Sequence, residues 1–220
     1  MIRGMLVEGA GELGVNLDEG AVERLFKYKD FLLEYNEKVN LTSIVDDVDF
    51  VVKHFLDSLT LLPVIKMREG GARVIDIGTG AGLPGLVLKI VCDDIDLVLL
   101  DSLNKRVKFL DEAVRLLGLK NVKCVHGRAE ELTRIDKSYR GGFDYAVARA
   151  VTNLKKLAGY CLPYVRAGGE FIAMKGRDYH EELEEARAAI AAFGGEVAEV
   201  REITLPGSEI VHSVIRVRRQ

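Results

Sequence analysis

The segment Asp76-Ile77-Gly78-Thr79-Gly80-Ala81-Gly82-Leu83-Pro84-Gly85 joins an apolar run at 73–77 to a helical pattern at 83–91. Strand, glycine-rich turn and helix in this order make a ligand-binding loop. Glycines admit left-handed backbone and let a ligand approach the main chain at a helix N-terminus. Such a unit belongs to a parallel α/β sheet, and the sequence after Gly70-Gly71 has that texture. Strands are expected at 73–77, 96–101, 122–125, 143–148 and 170–174, alternating with helices at 83–91, 105–117, 153–164 and 179–193. Two further strands, at 196–204 and 210–218, leave no room between them for a crossover helix, so they pair antiparallel. The fold class is α/β, a mostly parallel Rossmann-like sheet with an antiparallel C-terminal strand.

Residues 1–70 read differently. Val22, Leu25, Phe26, Leu32, Leu33 and Tyr35 follow a helical period with Asp18 or Asn16 placed to cap it, and a second helical pattern runs from about Asp47 to Leu62, where Pro63 ends it. The expected organisation is a helical extension over 1–70 and a ligand-binding domain over 71–220. Three cysteines, Cys92, Cys124 and Cys161, have neither zinc-ligand nor redox spacing and read as reduced thiols, which together with short apolar runs points to a cytoplasmic protein without membrane or metal.

The glycine loop alone leaves two cofactors open. Gly80, Gly82 and Gly85 satisfy G-x-G-x-x-G, and Asp101 lies 21 residues beyond Gly80, as a dinucleotide site requires. Asp76 argues for a different ligand, because a carboxylate beside the loop repels a pyrophosphate and suits an ammonium and a sulfonium. S-adenosylmethionine carries both. Asp101 then accepts from the ribose hydroxyls, and Ala129 with Glu130, after the third strand, lie where an adenine edge passes. A loop-bracing Asp76, or a Glu130 that merely favours a first helical turn, are the structural alternatives.

Several segments together resemble the bacterial 16S ribosomal RNA guanine-N7 methyltransferases, the glucose-inhibited division protein B family. They are Asn40-Leu41-Thr42, His54 to Leu59, Asp76 to Gly85, Asp101 to Leu110, Arg149-Ala150 and Lys175-Gly176. The resemblance implies a class I S-adenosylmethionine-dependent methyltransferase acting on guanine N7 of 16S rRNA near the decoding centre, on RNA or a small-subunit particle. It also implies cofactor contacts at Gly78, Leu83, Ala129, Glu130 and Arg149, with Asp101 and Ser102 at the ribose. A lone pair at N7 needs no general base. Arg149, at the end of the fourth strand, is the positioning candidate.

Charge decides how RNA is met. The chain of 220 residues has a formal net charge of −3, yet residues 105–156 hold 13 basic and 6 acidic side chains while residues 1–72 hold 8 and 13. Lys105, Arg106 and Lys175 are the leading RNA contacts, with Lys108, Arg128, Arg134, Lys137, Arg140, Lys155 and Lys156 as a wider phosphate supply. RNA affinity is expected to be salt-dependent and confined to the carboxyl edge of the sheet. His54 and Asp57 share a helix face, as a packing pair or an RNA contact.

Overall fold

A computed structural model describes residues 1–220. One seven-stranded sheet has the order β3-β2-β1-β4-β5-β7-β6. β1 (Ala72–Ile77), β2 (Ile95–Asp101), β3 (Val122–His126), β4 (Phe143–Arg149) and β5 (Val165–Lys175) run parallel, and β7 (Val211–Arg219) lies antiparallel between β5 and β6 (Gly195–Thr204). β1 and β4 are central and buried at nearly every position, as strands covered on both faces must be. The binding edge is where β1 and β4 diverge toward opposite halves of the sheet, the switch point of an open α/β fold.

Helices α5 (Gly85–Val91), α6 (Asn104–Leu117), α7 (Ala129–Ile135), α8 (Leu154–Cys161) and α9 (His180–Ala192) connect the strands. Gly118, left-handed at φ 64°, ends α6, and Asn153 caps α8 by accepting from the Lys156 amide. Before the sheet come α1 (Ile2–Glu12), α2 (Glu19–Val39) and a continuous helical stretch made of α3 (Asp47–Phe50), a π-helical turn over Val51–Leu56, and α4 (Asp57–Leu59). Asp18 caps α2 by accepting from the Ala21 amide at 2.5 Å. No helix is long and apolar enough to cross a membrane.

Three features depart from the sequence expectation. α1 holds Gly4, Gly9 and Gly11, which lower helix propensity, but Gly9 lets the helix approach Leu56 so closely that a Cβ there would lie 2.7 Å from its methyl group. The second helical pattern carries a π turn that wraps His54 toward the sheet. β5 begins five residues before the expected 170, because Arg166-Ala167-Gly168-Gly169 is absorbed by a register shift against β4.

The helices of 1–65 do not fold on themselves. Leu25, Tyr28, Phe50, Phe55, Leu56 and Leu59 share one continuous buried cluster with Leu86 and Leu88 of α5, Phe109 of α6, and Val74, Leu97 and Ile172 of the sheet. Phe31 stacks on Phe109 with ring centroids 5.4 Å apart, and Arg24 donates to the Ile90 carbonyl at 3.1 Å. The opposite face of the sheet buries a second cluster under α8 and α9, where Cys161 is a packing thiol.

Phe55, fully buried at the centre of the first cluster, tests this shared core. Phe55→Ala is expected to cost about 3–5 kcal/mol. Denaturant unfolding followed by far-ultraviolet circular dichroism and by tyrosine fluorescence is expected to show one coincident, left-shifted transition. A separate early transition, leaving the sheet signal at its wild-type midpoint, would contradict the shared core.

Candidate active site

β1 delivers Asp76 beneath the glycine loop. Its Oδ2 accepts from Thr79 Oγ1 at 2.6 Å and from the Gly85 amide at 2.8 Å, closing the loop across nine residues. Gly85 has no room for a side chain, since a Cβ would meet that same oxygen at 2.8 Å and Leu99 at 2.7 Å. Asp76 is fully buried, and burial raises its carboxyl to about 6 against the opposing hydrogen bonds from Thr79 and Gly85. The bracing role is therefore the one the geometry displays. Oδ1 has no partner in the protein.

On the other side of the loop, Tyr28 of α2 donates to the Ala81 carbonyl at 2.6 Å. Tyr28 is fully buried, and burial lifts its hydroxyl well above the ordinary tyrosine range, so it stays a neutral donor. The extension thus holds the loop directly, a contact between residues 53 apart that no local pattern announces.

Asp101 closes the front of the loop. Oδ2 accepts from the Gly80 amide at 2.9 Å, Oδ1 accepts from the Leu103 amide at 2.9 Å, and Arg106 stands 3.5 Å away. A pocket of about 250 Å³ opens above it, lined by Gly78, Leu100, Asp101, Ser102, Ala129, Glu130, Val151 and Tyr160. Five of the residues expected at the cofactor, Gly78, Asp101, Ser102, Ala129 and Glu130, meet in this one pocket. Gly78 is left-handed at φ 68°, and a Cβ there would stand 2.7 Å from Val151. Apolar walls from Leu100, Ala129 and Val151, a carboxylate for vicinal hydroxyls and a polar Glu130 rim fit an adenosine. Gly80, Gly82 and Leu83 form the loop itself, with Leu83 buried. Leu100, Val151 and Tyr160 were absent from the sequence expectation, because nothing local marks an apolar wall as facing a ligand instead of the core.

Arg149 points elsewhere. Nη1 donates to the Lys53 carbonyl and to Asp57 Oδ2, both at 2.8 Å, and Nη2 lies 3.4 Å from His54 Nδ1. Asp57, 1 % exposed, uses its second oxygen for His212 Nδ1 at 2.6 Å. One buried carboxylate therefore joins the extension to β4 and to β7. His54 Nε2 pairs with Thr42 Oγ1 at 2.8 Å. Lys53, His54, Asp57, Arg149 and His212 line a second pocket of about 550 Å³, together with Ala150, Met174, Lys175 and Ile210. The open choice for His54 and Asp57 narrows to a packed, hydrogen-bonded cluster that also faces a cavity. His212 was missed, being 155 residues from Asp57.

Of the expected RNA contacts, Lys175 donates to the Thr152 carbonyl at 2.8 Å and to Glu182 at 2.6 Å, so its charge is paired within the fold. Lys105 is exposed at the start of α6, and Arg106 leans on Asp101.

The GidB family model, described as rRNA small subunit methyltransferase G, matches residues 21–211. A "Ribosomal RNA small subunit methyltransferase G" of Alkaliphilus metalliredigens is 49% identical over 215 residues, covering 98% of this chain and 89% of its own. Among solved structures, a 16S rRNA (adenine(1408)-N(1))-methyltransferase mutant from Catenulisporales acidiphilia superposes with TM-score 0.54 at 17% identity, over 67% of this chain and 85% of that one. M. jannaschii TYW2 in complex with AdoMet gives 0.52 at 14%, over 69% and 70%. The two structures share the fold, a class I methyltransferase sheet.

Burial, and secondarily the Arg149 charge, lower the His54 imidazolium to about 4 from 6.5. The unfolded chain therefore binds the proton first as pH falls, and folding stability is lost from about pH 6.5 down to about pH 4, by on the order of 3 kcal/mol. His54→Gln removes this pH dependence. The stability gap between wild type and variant in urea is expected to shrink by that amount between pH 7 and pH 4; a gap independent of pH would refute a neutral, buried His54.

Proposed function

Because the chain belongs to the GidB family of ribosomal RNA small subunit methyltransferases, we propose that it methylates N7 of a guanine in 16S rRNA, near the decoding centre, by in-line transfer without a general base. The division of labour is a helical extension over 1–70 and a methyltransferase domain over 71–220. The substrate is 16S rRNA or a small-subunit particle, which places the enzyme in the cytoplasm. S-adenosylmethionine, when bound, supplies an electrophilic methyl group.

One observation carries this reading. The loop after β4 separates two cavities at the carboxyl edge, with Val151 lining the adenosine-shaped pocket and Arg149 and Ala150 lining the other. Ala150, left-handed at φ 53°, turns the chain between them. Asp101 and Ser102 hold the ribose, Gly78, Ala129 and Glu130 hold the base of the cofactor, and the glycine loop admits its amino-acid end. The second pocket receives the target guanine, whose N7 lone pair lies in the ring plane and faces the methyl donor.

Guanine N7 carries no proton to remove, so what the residues supply is alignment, which reaches about 7–11 kcal/mol in well-oriented systems. Methylation leaves the base cationic. The pocket suits that outcome because its cations are already paired: Arg149 with Asp57, Lys175 with Glu182, and Lys53 with Asp49. His54 is neutral at physiological pH. Arg149, held by Asp57 and the Lys53 carbonyl, orients the β4 loop at the rim of this pocket more than it stabilises a developing charge.

Incubation of the protein with small subunits and methyl-labelled cofactor is expected to label 16S rRNA at a guanine that becomes sensitive to borohydride reduction and aniline scission, the signature of N7 methylation. Arg149→Ala is expected to lower the transfer rate at least a hundredfold. Asp101→Ala is expected to weaken cofactor binding about tenfold by calorimetry, equivalent to about 1.4 kcal/mol. Label on small molecules alone, or on an exocyclic amine, would overturn the proposal.

A further inference from the structure

A groove of about 590 Å³ lies behind the adenosine-shaped pocket and shares Glu130 and Tyr160 with it. It passes between α7 and α8 to Arg140 and Arg219. Four cations line it, Arg134, Lys137, Arg140 and Arg219, against the single carboxylate of Glu130. Arg134, Lys137 and Arg140 recur every three residues along α7 and the 3₁₀ turn Lys137–Tyr139, all three exposed. None forms an ion pair, whereas Arg128, just upstream, approaches Glu130 at 3.8 Å. Arg219 is fixed, donating to the carbonyls of Leu162 and Val165.

Unpaired cations placed side by side repel one another, and a chain with net charge −3 has carboxylates enough to compensate them. The groove also carries aromatic surface. Phe193 is 45% exposed, its ring edge standing against Gly159, where a Cβ would be 3.1 Å away, and Tyr160 is half-buried beside it. Exposed, unpaired cations with aromatic surface alongside form the combination that takes a single-stranded nucleic acid, cations tracking the backbone and rings stacking on bases.

We propose that this groove docks a single-stranded segment of the RNA substrate, away from the carboxyl edge where methyl transfer occurs. The inference rests on the reading of the chain as an RNA methyltransferase and extends its RNA contact to a second surface. The groove adds affinity and orientation; it takes no part in the chemistry.

The test replaces Arg134, Lys137 and Arg140 together by alanine in the full chain, exposed positions whose loss leaves the core intact. With small subunits and protein-free 16S RNA as substrates, KM for both is expected to rise at least fivefold, with kcat within twofold and cofactor affinity unchanged. The slope of log Kd for protein-free RNA against log salt is expected to fall by about 2, near 0.7 for each of three phosphate contacts to a single strand. Unchanged KM and slope, with wild type active, would sink the groove and leave the methyltransferase reading standing. Loss of affinity for small subunits but not for protein-free RNA would identify a ribosomal protein as the occupant and also overturn it. Failure of wild type to methylate 16S RNA in either substrate, protein-free or within small subunits, would instead overturn the reading beneath.

Discussion

A carboxylate sealed in the sheet governs the rest of this molecule. Asp76 has no exposed surface, and its Oδ2 holds Thr79 and Gly85 together so that the glycine loop turns back on itself at the tip of β1. Burying such a group without partners costs several kcal/mol, and two short hydrogen bonds offset that cost only while the loop stays closed. Loop closure fixes Gly80, whose amide fixes Asp101, whose second oxygen fixes the start of α6. The adenosine-shaped pocket is the space these three constraints leave.

The extension is part of the same arrangement. Tyr28 anchors the far side of the loop, and the π turn at Val51–Leu56 brings the Lys53 carbonyl, His54 and Asp57 to Arg149. Irregular helical turns of this kind change which side chains share a face, and here the change aims a carboxylate at β4 and β7. The methyltransferase sheet and its helical extension therefore share one buried core, with the Asp57–Arg149 pair at their seam.

The sheet was legible because its strands are apolar runs buried on two faces, and because 196–218 lacks the length for a crossover. Ser102 came from the family resemblance alone, whereas Asp101, Ala129 and Glu130 could be brought to one pocket in advance because a strand end in this fold fixes its own location relative to the glycine loop. Arg149 was found for the same reason, but its direction was not: whether a guanidinium turns to one pocket or the next depends on Asp57, 92 residues earlier. α1 was covered only by the general expectation of a helical extension over 1–70; that its Gly9 makes room for Leu56 is visible only in the packing. The charge count predicted a basic segment correctly; only the structure separates Lys175, spent on Glu182, from Arg134, Lys137 and Arg140, which answer no carboxylate.

The position of β7 between β5 and β6 has a consequence for assembly. β6 touches the sheet only through β7, its hairpin partner, so the two strands join it together when β7 docks on β5. The β6–β7 pairing is local in sequence, whereas the pairing of β7 with β5 and the contact of His212 with Asp57, 155 residues away, are the long-range ones and the slower to form. His212 rides on β7, so the buried Asp57 keeps one oxygen uncommitted until that strand docks. Without β7 the glycine loop would keep its own contacts to Asp76, Tyr28 and Asp101, while the cavity around Asp57 would lose His212 from its wall.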